Sequence, residues 1–299
     1  MLAGPTASGK SNLAFSLAKK INGEIINADS MQIYNEFSIL SSRPPNKDLK
    51  KIKHHLYGFI SVKKYFSTGE WLKLVKKKIN ECIKKKKIPI ITGGTGLYFN
   101  AITKGISKIP DIDSKTRISI RKLQKKIGQK KFYEKLIAID RLAKKKVFPN
   151  DVQRSLRAYE VMLSTNKSLY DWVATTTSDF INYDIKKFFL DIPKEDLLKN
   201  IYKRTNSMFE NTCVDEVEDF LKLKIDKSLS SNKLIGVKEI SGYLSGIHSL
   251  EKTKELINIK TRQYAKKQKT WSRGHMKNWI RLYSGNLTIL TKKVLKAIS

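Results

Sequence analysis

Short apolar runs alternate with amphipathic stretches along the first hundred residues. Residues 24–28 (EIINA) predict a short strand that ends in Asp29, residues 56–62 a second one, and residues 88–92 (IPIIT) a buried strand running into Gly93-Gly94-Thr95-Gly96. Between them, residues 10–21 put Leu13, Ala14, Leu17 and Ala18 on one helical face. Residues 68–87 do the same with Leu72, Val75, Ile79 and Ile83, ahead of a Lys-rich end that suits a helix dipole. This rhythm predicts an α/β fold with a parallel sheet and ligands at the carboxyl ends of its strands. The loop after the first strand, Asp29 and the 93–96 turn should then converge on one crevice.

From 110 to 177 the pattern becomes helical and very basic. Residues 114–126 and 151–164 are amphipathic, and Asn150 or Asp151 is available to cap the second helix after Pro149. Strand character returns at 185–192 (IKKFFLDI), followed by helices at 195–209 and 214–223, a long Lys/Arg-dense helix at about 250–273, and a closing strand at 278–283. The expected organisation is an α/β core of residues 1–109 and 178–299 interrupted by a helical insertion at 110–177.

The chemistry begins at Gly4-Pro5-Thr6-Ala7-Ser8-Gly9-Lys10-Ser11, a complete G-x-x-x-x-G-K-[ST] phosphate loop. Its glycines let backbone N–H groups turn inward at the start of the following helix, Lys10 adds a point charge, and the Ser11 hydroxyl suits Mg²⁺. Only Met1–Ala3 precede the loop, so the strand that should carry it is a stub or begins upstream. A Gly-rich turn without a ligand is the alternative to a phosphate site.

With 60 Lys and Arg against 27 Asp and Glu, the formal charge is +33, a field that favours a polyanionic partner. Compositional bias toward lysine is the competing explanation, and the 84–87 and 144–146 lysine runs read as solvated helix ends. No apolar run is long enough to span a membrane, and no signal peptide is visible. Cys82 and Cys213 lack metal-ligand spacing and read as buried free thiols of a reducing, cytoplasmic compartment. Nothing in sequence near His54-His55 completes a zinc site, so that pair reads as loop or packing.

Six blocks, GPTASGKS at 4–11, ADSMQIY at 28–34, GGTGLYF at 93–99, PNDVQRSLRAYEV at 149–161, LLKNIYKRTNSM at 197–208 and TRQYAKKQKTWSRG at 261–274, follow one another in an order that resembles the tRNA dimethylallyltransferase (tRNA isopentenyltransferase) family. The resemblance implies a P-loop NTPase-like core with an inserted helical tRNA-binding domain. It implies transfer of a dimethylallyl group from its pyrophosphate to the exocyclic N6 amine of the adenosine on the 3′ side of the anticodon. The loop 4–11, with Lys10, Arg204 and a Mg²⁺ ion at Ser11, would then hold pyrophosphate rather than a nucleoside triphosphate. Loop physics alone leaves that choice open, and a P-loop small-molecule kinase using ATP remains the alternative.

The resemblance makes Asp29 the general base for a weakly nucleophilic amine; taken alone, Asp29 reads equally as a helix cap or a Mg²⁺ ligand. Thr95 matches a position near the target base and Arg117 another substrate-contact position, and Asp29, Ser30, Met31 and Gln32 match tRNA contacts. So do Gln153, Arg154, Ser155, Leu156 and Arg157 in the insertion, where spacings of three and four put Gln153, Arg154 and Arg157 on one helical face. Lys266, Lys267, Gln268, Lys269, Thr270, Trp271, Ser272 and Arg273 match a second tRNA-binding helix, with Trp271 reading more as core than as a stacking platform. The target base would be flipped into a pocket, entering from one side while the prenyl donor enters from the other. The expected partners are the tRNA anticodon stem-loop and dimethylallyl pyrophosphate, the cofactor Mg²⁺, and the default state a monomer. The chain departs from the family pattern at Asn35, at Leu40-Ser41-Ser42-Arg43-Pro44, at Thr212 and at Gly236-Val237-Lys238-Glu239.

Overall fold

The computed structural model describes residues 1–298. It divides into two compact units, Met1–Asn100 together with Tyr183–Ser299, and Ala101–Asn182. In chain order, β1 (Leu2–Ala3), α1 (Lys10–Lys20), β2 (Gly23–Asn27), α2 (Asn46–Leu49), β3 (His54–His55), α3 (Thr68–Lys84) and β4 (Ile88–Gly93) come first. Then α4 (Gly96–Lys104) carries the chain into α5 (Ser114–Ile139), α6 (Arg141–Lys146), α7 (Val152–Thr165) and α8 (Leu169–Ala174). The return is β5 (Phe188–Leu190), α9 (Lys194–Glu210), α10 (Cys213–Lys222), α11 (Val237–Leu244), α12 (Leu250–His275), β6 (Ile280–Leu282) and α13 (Leu287–Ile298).

All six strands pair in parallel, in the order β3-β2-β4-β1-β5-β6. The two-residue β1 lies in the middle of the sheet: Leu2 faces Thr92 on one side and Phe188 on the other, and Ala3 faces Gly93 and Phe189. With Asn27 opposite Thr92 as well, the loops that leave β1, β2 and β4 emerge from one edge. The buried face of α1 (Leu13, Ala14, Leu17, Ala18) packs into the cluster of Ile25, Ile90, Phe188 and Leu190. Burial of each large aliphatic side chain contributes about 1.5–3 kcal/mol, so the first turn of α1 is held firmly where β1 ends. Trp71 of α3 is fully buried. Its ring stacks on Tyr98 at 4.0 Å and its Nε1–H donates to the Asn27 carbonyl at 3.0 Å, tying α3 to the end of β2.

Two sequence expectations need correction. Residues 56–62 are not a strand: Leu56 and Gly58 take φ of 62° and 50°, which breaks extended backbone, so the ladder is confined to His54–His55 plus an isolated Tyr34–Ile60 bridge. The strand expected at 185–192 shrinks to Phe188–Leu190, because its neighbours β1 and β6 offer only two and three residues to pair with. The helix expected at 114–126 ends at Gly128, whose φ of 78° and ψ of 165° break the helical backbone, and a second segment carries α5 on to Ile139.

The second unit has its own core of Leu136, Ala143, Val147 and Ala158, with Phe132 tilted against Tyr159 at 5.0 Å. Asp151 caps α7 by accepting the Arg154 N–H at 3.0 Å. Lys115, Lys122, Lys125, Lys126, Lys130 and Lys131 stand exposed along α5. No helix among the described residues is long and apolar enough to cross a membrane.

Candidate active site

The loop between β1 and α1 is built to receive an anion. Gly9 adopts φ of 86° where it enters α1, and no side chain caps that helix or places an acid in its first turn. The free N–H groups and the helix dipole therefore point at the loop. A cavity of about 780 Å³ is lined by Thr6 to Ser11, by Asp29 and by Arg204, while Gly4 and Pro5 lie buried beneath. Arg204 of α9 is half-buried and donates to Thr6 Oγ1 at 2.5 Å and to the Leu40 carbonyl at 3.5 Å. Asn200, one turn earlier, donates to the Ala7 carbonyl at 3.1 Å. Lys10 Nζ reaches back to the Pro5 carbonyl at 3.2 Å. Burial lowers the Lys10 pKa to about 8; Asp29 raises it in part and Arg204 depresses it further. Burial likewise lowers that of Arg204, with Asp29 opposing. Lys10 and Arg204 thus share one pocket with Asp29, and Arg43, Lys203, Lys233 and Asp48 also line it.

Asp29 follows β2 in a turn fixed by Asn27. Asn27 Oδ1 accepts the Asp29 N–H at 2.8 Å, while Nδ2 donates to the Asp29 carbonyl at 3.0 Å and to the Leu56 carbonyl at 2.9 Å. Asp29 Oδ1 accepts the Met31 N–H at 3.0 Å, which leaves Oδ2 for the cavity. The turn after β4 closes on it. Gly93 approaches Ala28 so tightly that a Cβ would sit 2.1 Å from the Ala28 carbonyl, and Thr95 N–H donates to that same carbonyl at 3.1 Å. Thr95 Oγ1 accepts the Ser30 N–H at 2.9 Å and lies 3.2 Å from Ser30 Oγ. A smaller cavity of about 250 Å³ is lined by Ser30, Gly94, Thr95, Gln268 and Trp271, and Tyr264 borders both cavities. Burial and the nearby Asp29 charge push the Tyr264 hydroxyl well above its ordinary pKa, which keeps it a neutral donor.

Several residues expected at a tRNA surface are used internally. Gln32 donates to the Ser41 and Ser42 carbonyls at 3.0 and 2.8 Å, pinning the 38–42 turn. Gln268 accepts the Thr6 N–H at 2.8 Å and donates to the Gly94 carbonyl at 2.9 Å. Lys269 pairs with Asp191 at 2.6 Å. Ser272 is 1 % exposed and accepts from Arg281 at 3.1 Å; Ser155 is 0 % exposed and accepts from Gln129 at 3.1 Å. Those two hydroxyls present nothing to a ligand. Trp271 is half-buried, stacked on His275 at 4.3 Å.

Lys266, Lys267, Thr270 and Arg273 are exposed on α12. In the second unit Gln153 and Arg154 are exposed on α7, Leu156 is half-buried, and Arg157 lies 3.7 Å from Glu160. Arg117, in the first turn of α5, is half-buried, with a buried Nε that has no hydrogen-bond partner among the described residues.

Sequence reasoning missed Glu216, whose carboxylate accepts the Ser38, Ile39 and Leu40 N–H groups at 2.7, 2.8 and 2.9 Å and shapes the turn that Arg204 touches. It also left His55 without partners. In the fold, His55 Nε2 lies 2.6 Å from Glu24 Oε2, and Cys82 Sγ lies 3.6 Å from the same oxygen, all three residues buried. Those donor types could hold a metal, but Glu24 is near the start of β2, whereas Asp29 follows its end. The cluster therefore stands apart from the cavity chemistry.

The profile of the IPP transferase family matches residues 32–275. A tRNA dimethylallyltransferase of Pelagibacter ubique is 52 % identical over 297 residues, covering 99 % of this chain and 95 % of that protein. One from Rickettsia massiliae is 39 % identical, covering 99 % and 82 %. Among solved structures, the Staphylococcus epidermidis tRNA delta(2)-isopentenylpyrophosphate transferase aligns with a TM-score of 0.69 at 30 % identity over 99 % of this chain and 97 % of that one. A eukaryotic dimethylallyltransferase acting on tRNA aligns at 0.83 and 26 % identity over 96 % and 74 %. The family profile over residues 32–275 and the 52 % identity to the Pelagibacter protein over nearly the whole of both chains mean that the chain belongs to the IPP transferase family.

Proposed function

We propose that this protein is a tRNA dimethylallyltransferase: it moves a dimethylallyl group from dimethylallyl pyrophosphate to the exocyclic N6 amine of the adenosine on the 3′ side of the anticodon. The observation that carries the reading is that Asp29 and the cradle residues Thr6 to Ser11 line one cavity. The amine is a poor nucleophile because its lone pair is delocalised into the ring. Asp29 Oδ2 takes its proton as the new C–N bond forms, and the pyrophosphate leaves into the N–H groups at the start of α1, with Lys10 and Arg204 neutralising its developing charge. Thr95 and Ser30, hydrogen-bonded to each other beside Asp29, line the smaller cavity and are assigned to the incoming base. Tyr264 lies between the two spaces.

A Mg²⁺ ion fits this donor set. Ser11 is exposed at the cradle rim, and Ser8 Oγ is buried without a hydrogen-bond partner among the described residues, as expected of a site completed by phosphate oxygens. Ser11 would hold the ion together with those oxygens, and when bound it would add charge neutralisation to the leaving group.

The basic faces of α5, α7 and α12 are assigned to the tRNA stem-loop, through Gln153, Arg154, Lys266, Lys267 and Arg273. Arg117 is assigned to the substrate nucleotide. If these residues meet phosphates, tRNA affinity falls by about 10²-fold between 50 and 200 mM salt, as expected for roughly four phosphate contacts. A flat response in a filter-binding titration would remove the role of these helices. Kinase chemistry on the same loop requires none of these basic faces, and Gln268 occupies a loop N–H that a longer phosphate chain would use.

The activity is tested by mixing the protein with unmodified tRNA, dimethylallyl pyrophosphate and Mg²⁺ and following tRNA mass. A gain of one prenyl group supports the reading. Unchanged tRNA accompanied by ATP consumption would replace it with the kinase.

A further inference from the structure

We propose that Gln268 sets the donor specificity of the cradle: its amide oxygen takes the Thr6 N–H, and the loop therefore admits a diphosphate ester and rejects a triphosphate. The inference rests on the reading of residues 4–11 as a diphosphate cradle and adds the reason for the chain length it accepts.

The cradle has two ends. At one, Gly9, Lys10 and Ser11 present the N–H groups that open α1, where a phosphate is held by backbone and dipole together. At the other lies Thr6. Its N–H would serve a phosphate chain that extended beyond the first two groups, as a general phosphate loop allows. Here that donor is already used: Gln268 Oε1 accepts it at 2.8 Å. The amide cannot turn away freely, because Nε2 donates to the Gly94 carbonyl at 2.9 Å. Flipping it would set an NH₂ group against the Thr6 N–H and oxygen against oxygen at Gly94, losing both bonds.

Thr6 marks the Asp29 end of the cradle. A Cβ built on Gly94 would sit 2.3 Å from Gln268 Nε2 and 3.4 Å from Asp29 Oδ2, so the amide and the carboxylate are close neighbours. A third phosphate at this end would face the Gln268 amide oxygen and the Asp29 carboxylate; Arg204 on Thr6 Oγ1 and Lys10 on the Pro5 carbonyl supply positive charge there, but the loop N–H that would hold the group is already taken. A hydrocarbon chain carries no charge and needs no donor there. The same bridge joins the β1 and β4 loops, which explains why a side chain in the Lys/Arg-rich block of α12 points inward.

The test compares binding of inorganic pyrophosphate and inorganic tripolyphosphate, each with Mg²⁺, by calorimetry on the full chain. The unmodified protein should prefer pyrophosphate. In Q268A the Thr6 N–H is released, and the ratio of the two affinities should shift toward tripolyphosphate by about tenfold or more. In Q268E one carboxylate oxygen remains available to Thr6, although the bond from Nε2 to the Gly94 carbonyl is lost; the added negative charge still disfavours a third phosphate, so the discrimination should be kept. An unchanged ratio in Q268A, with pyrophosphate still bound, would overturn the inference. Equal relaxation in both variants would also overturn it, because a general loosening of the loops would then account for the effect. Failure of the unmodified protein to bind pyrophosphate at all would overturn the cradle reading itself, and this inference with it.

Discussion

Asp29→Asn is expected to slow prenyl transfer by about 10²–10⁴-fold, the usual contribution of a positioned general base, while leaving tRNA affinity nearly unchanged. The substitution is chosen for what it preserves. Asp29 Oδ1 accepts the Met31 N–H, and an asparagine Oδ1 accepts it equally well. The Asn27 bonds that hold the turn involve the Asp29 backbone, not its side chain. Only Oδ2 changes, from a proton acceptor into an NH₂ donor. The measurement is a single-turnover rate with saturating tRNA, beside a binding titration of the same variant. A loss confined to the rate assigns Asp29 to proton transfer. A parallel loss of tRNA affinity would make it a contact residue instead.

Lys10→Ala should reduce kcat/KM for dimethylallyl pyrophosphate by about 10²–10³-fold, in line with removal of one preorganised donor at a developing anion. The charge of this lysine also gives the site a pH signature. Its folded pKa is lowered from the ordinary 10.5 to about 8. Below pH 8 the ammonium is present and attracts the diphosphate; above it, the unliganded cradle loses that charge. Binding the anion favours the charged form, so above pH 8 binding must take up a proton. The affinity for the donor should therefore fall as pH rises through about 8, approaching tenfold per unit for a single group. In Lys10→Ala this limb should vanish, with weak, nearly pH-independent binding over the same range. Donor titrations in both proteins between pH 7 and 9 check this; an unaltered slope in the variant would assign the proton elsewhere.

The parts of the site that rest on local backbone demands were legible in the sequence. The loop at 4–11 needs Gly9 at positive φ, and the 93–96 turn needs Gly93 because Ala28 leaves no room for a Cβ. Asp29 follows a buried run that pairs with the apolar β4 on one side and with His54–His55 on the other, so its place at the sheet edge follows from the α/β pattern. What stayed hidden depends on partners remote in sequence. The inward turn of Gln268 is decided by Thr6 and Gly94, some 262 and 174 residues away. The burial of Ser272 and Ser155 within otherwise basic blocks is set by Arg281 and Gln129. His55 gained its partners only when β2, β3 and α3 came together. The strand misread at 56–62 failed for a local reason that composition hides, since Leu56 adopts positive φ against the preference of a bulky side chain.

The leaving diphosphate and the accepting carboxylate are assigned to one cavity, with the reacting carbon between them. A crystal structure with pyrophosphate and Mg²⁺ bound tests this assignment most directly. Phosphate oxygens should lie on the N–H groups of Gly9 to Ser11 and within reach of Lys10 and Arg204, Gln268 should remain on the Thr6 N–H, and Asp29 Oδ2 should face the open space beyond the anion. Pyrophosphate bound away from the 4–11 loop, or Asp29 swung out of the cavity when it binds, would contradict it.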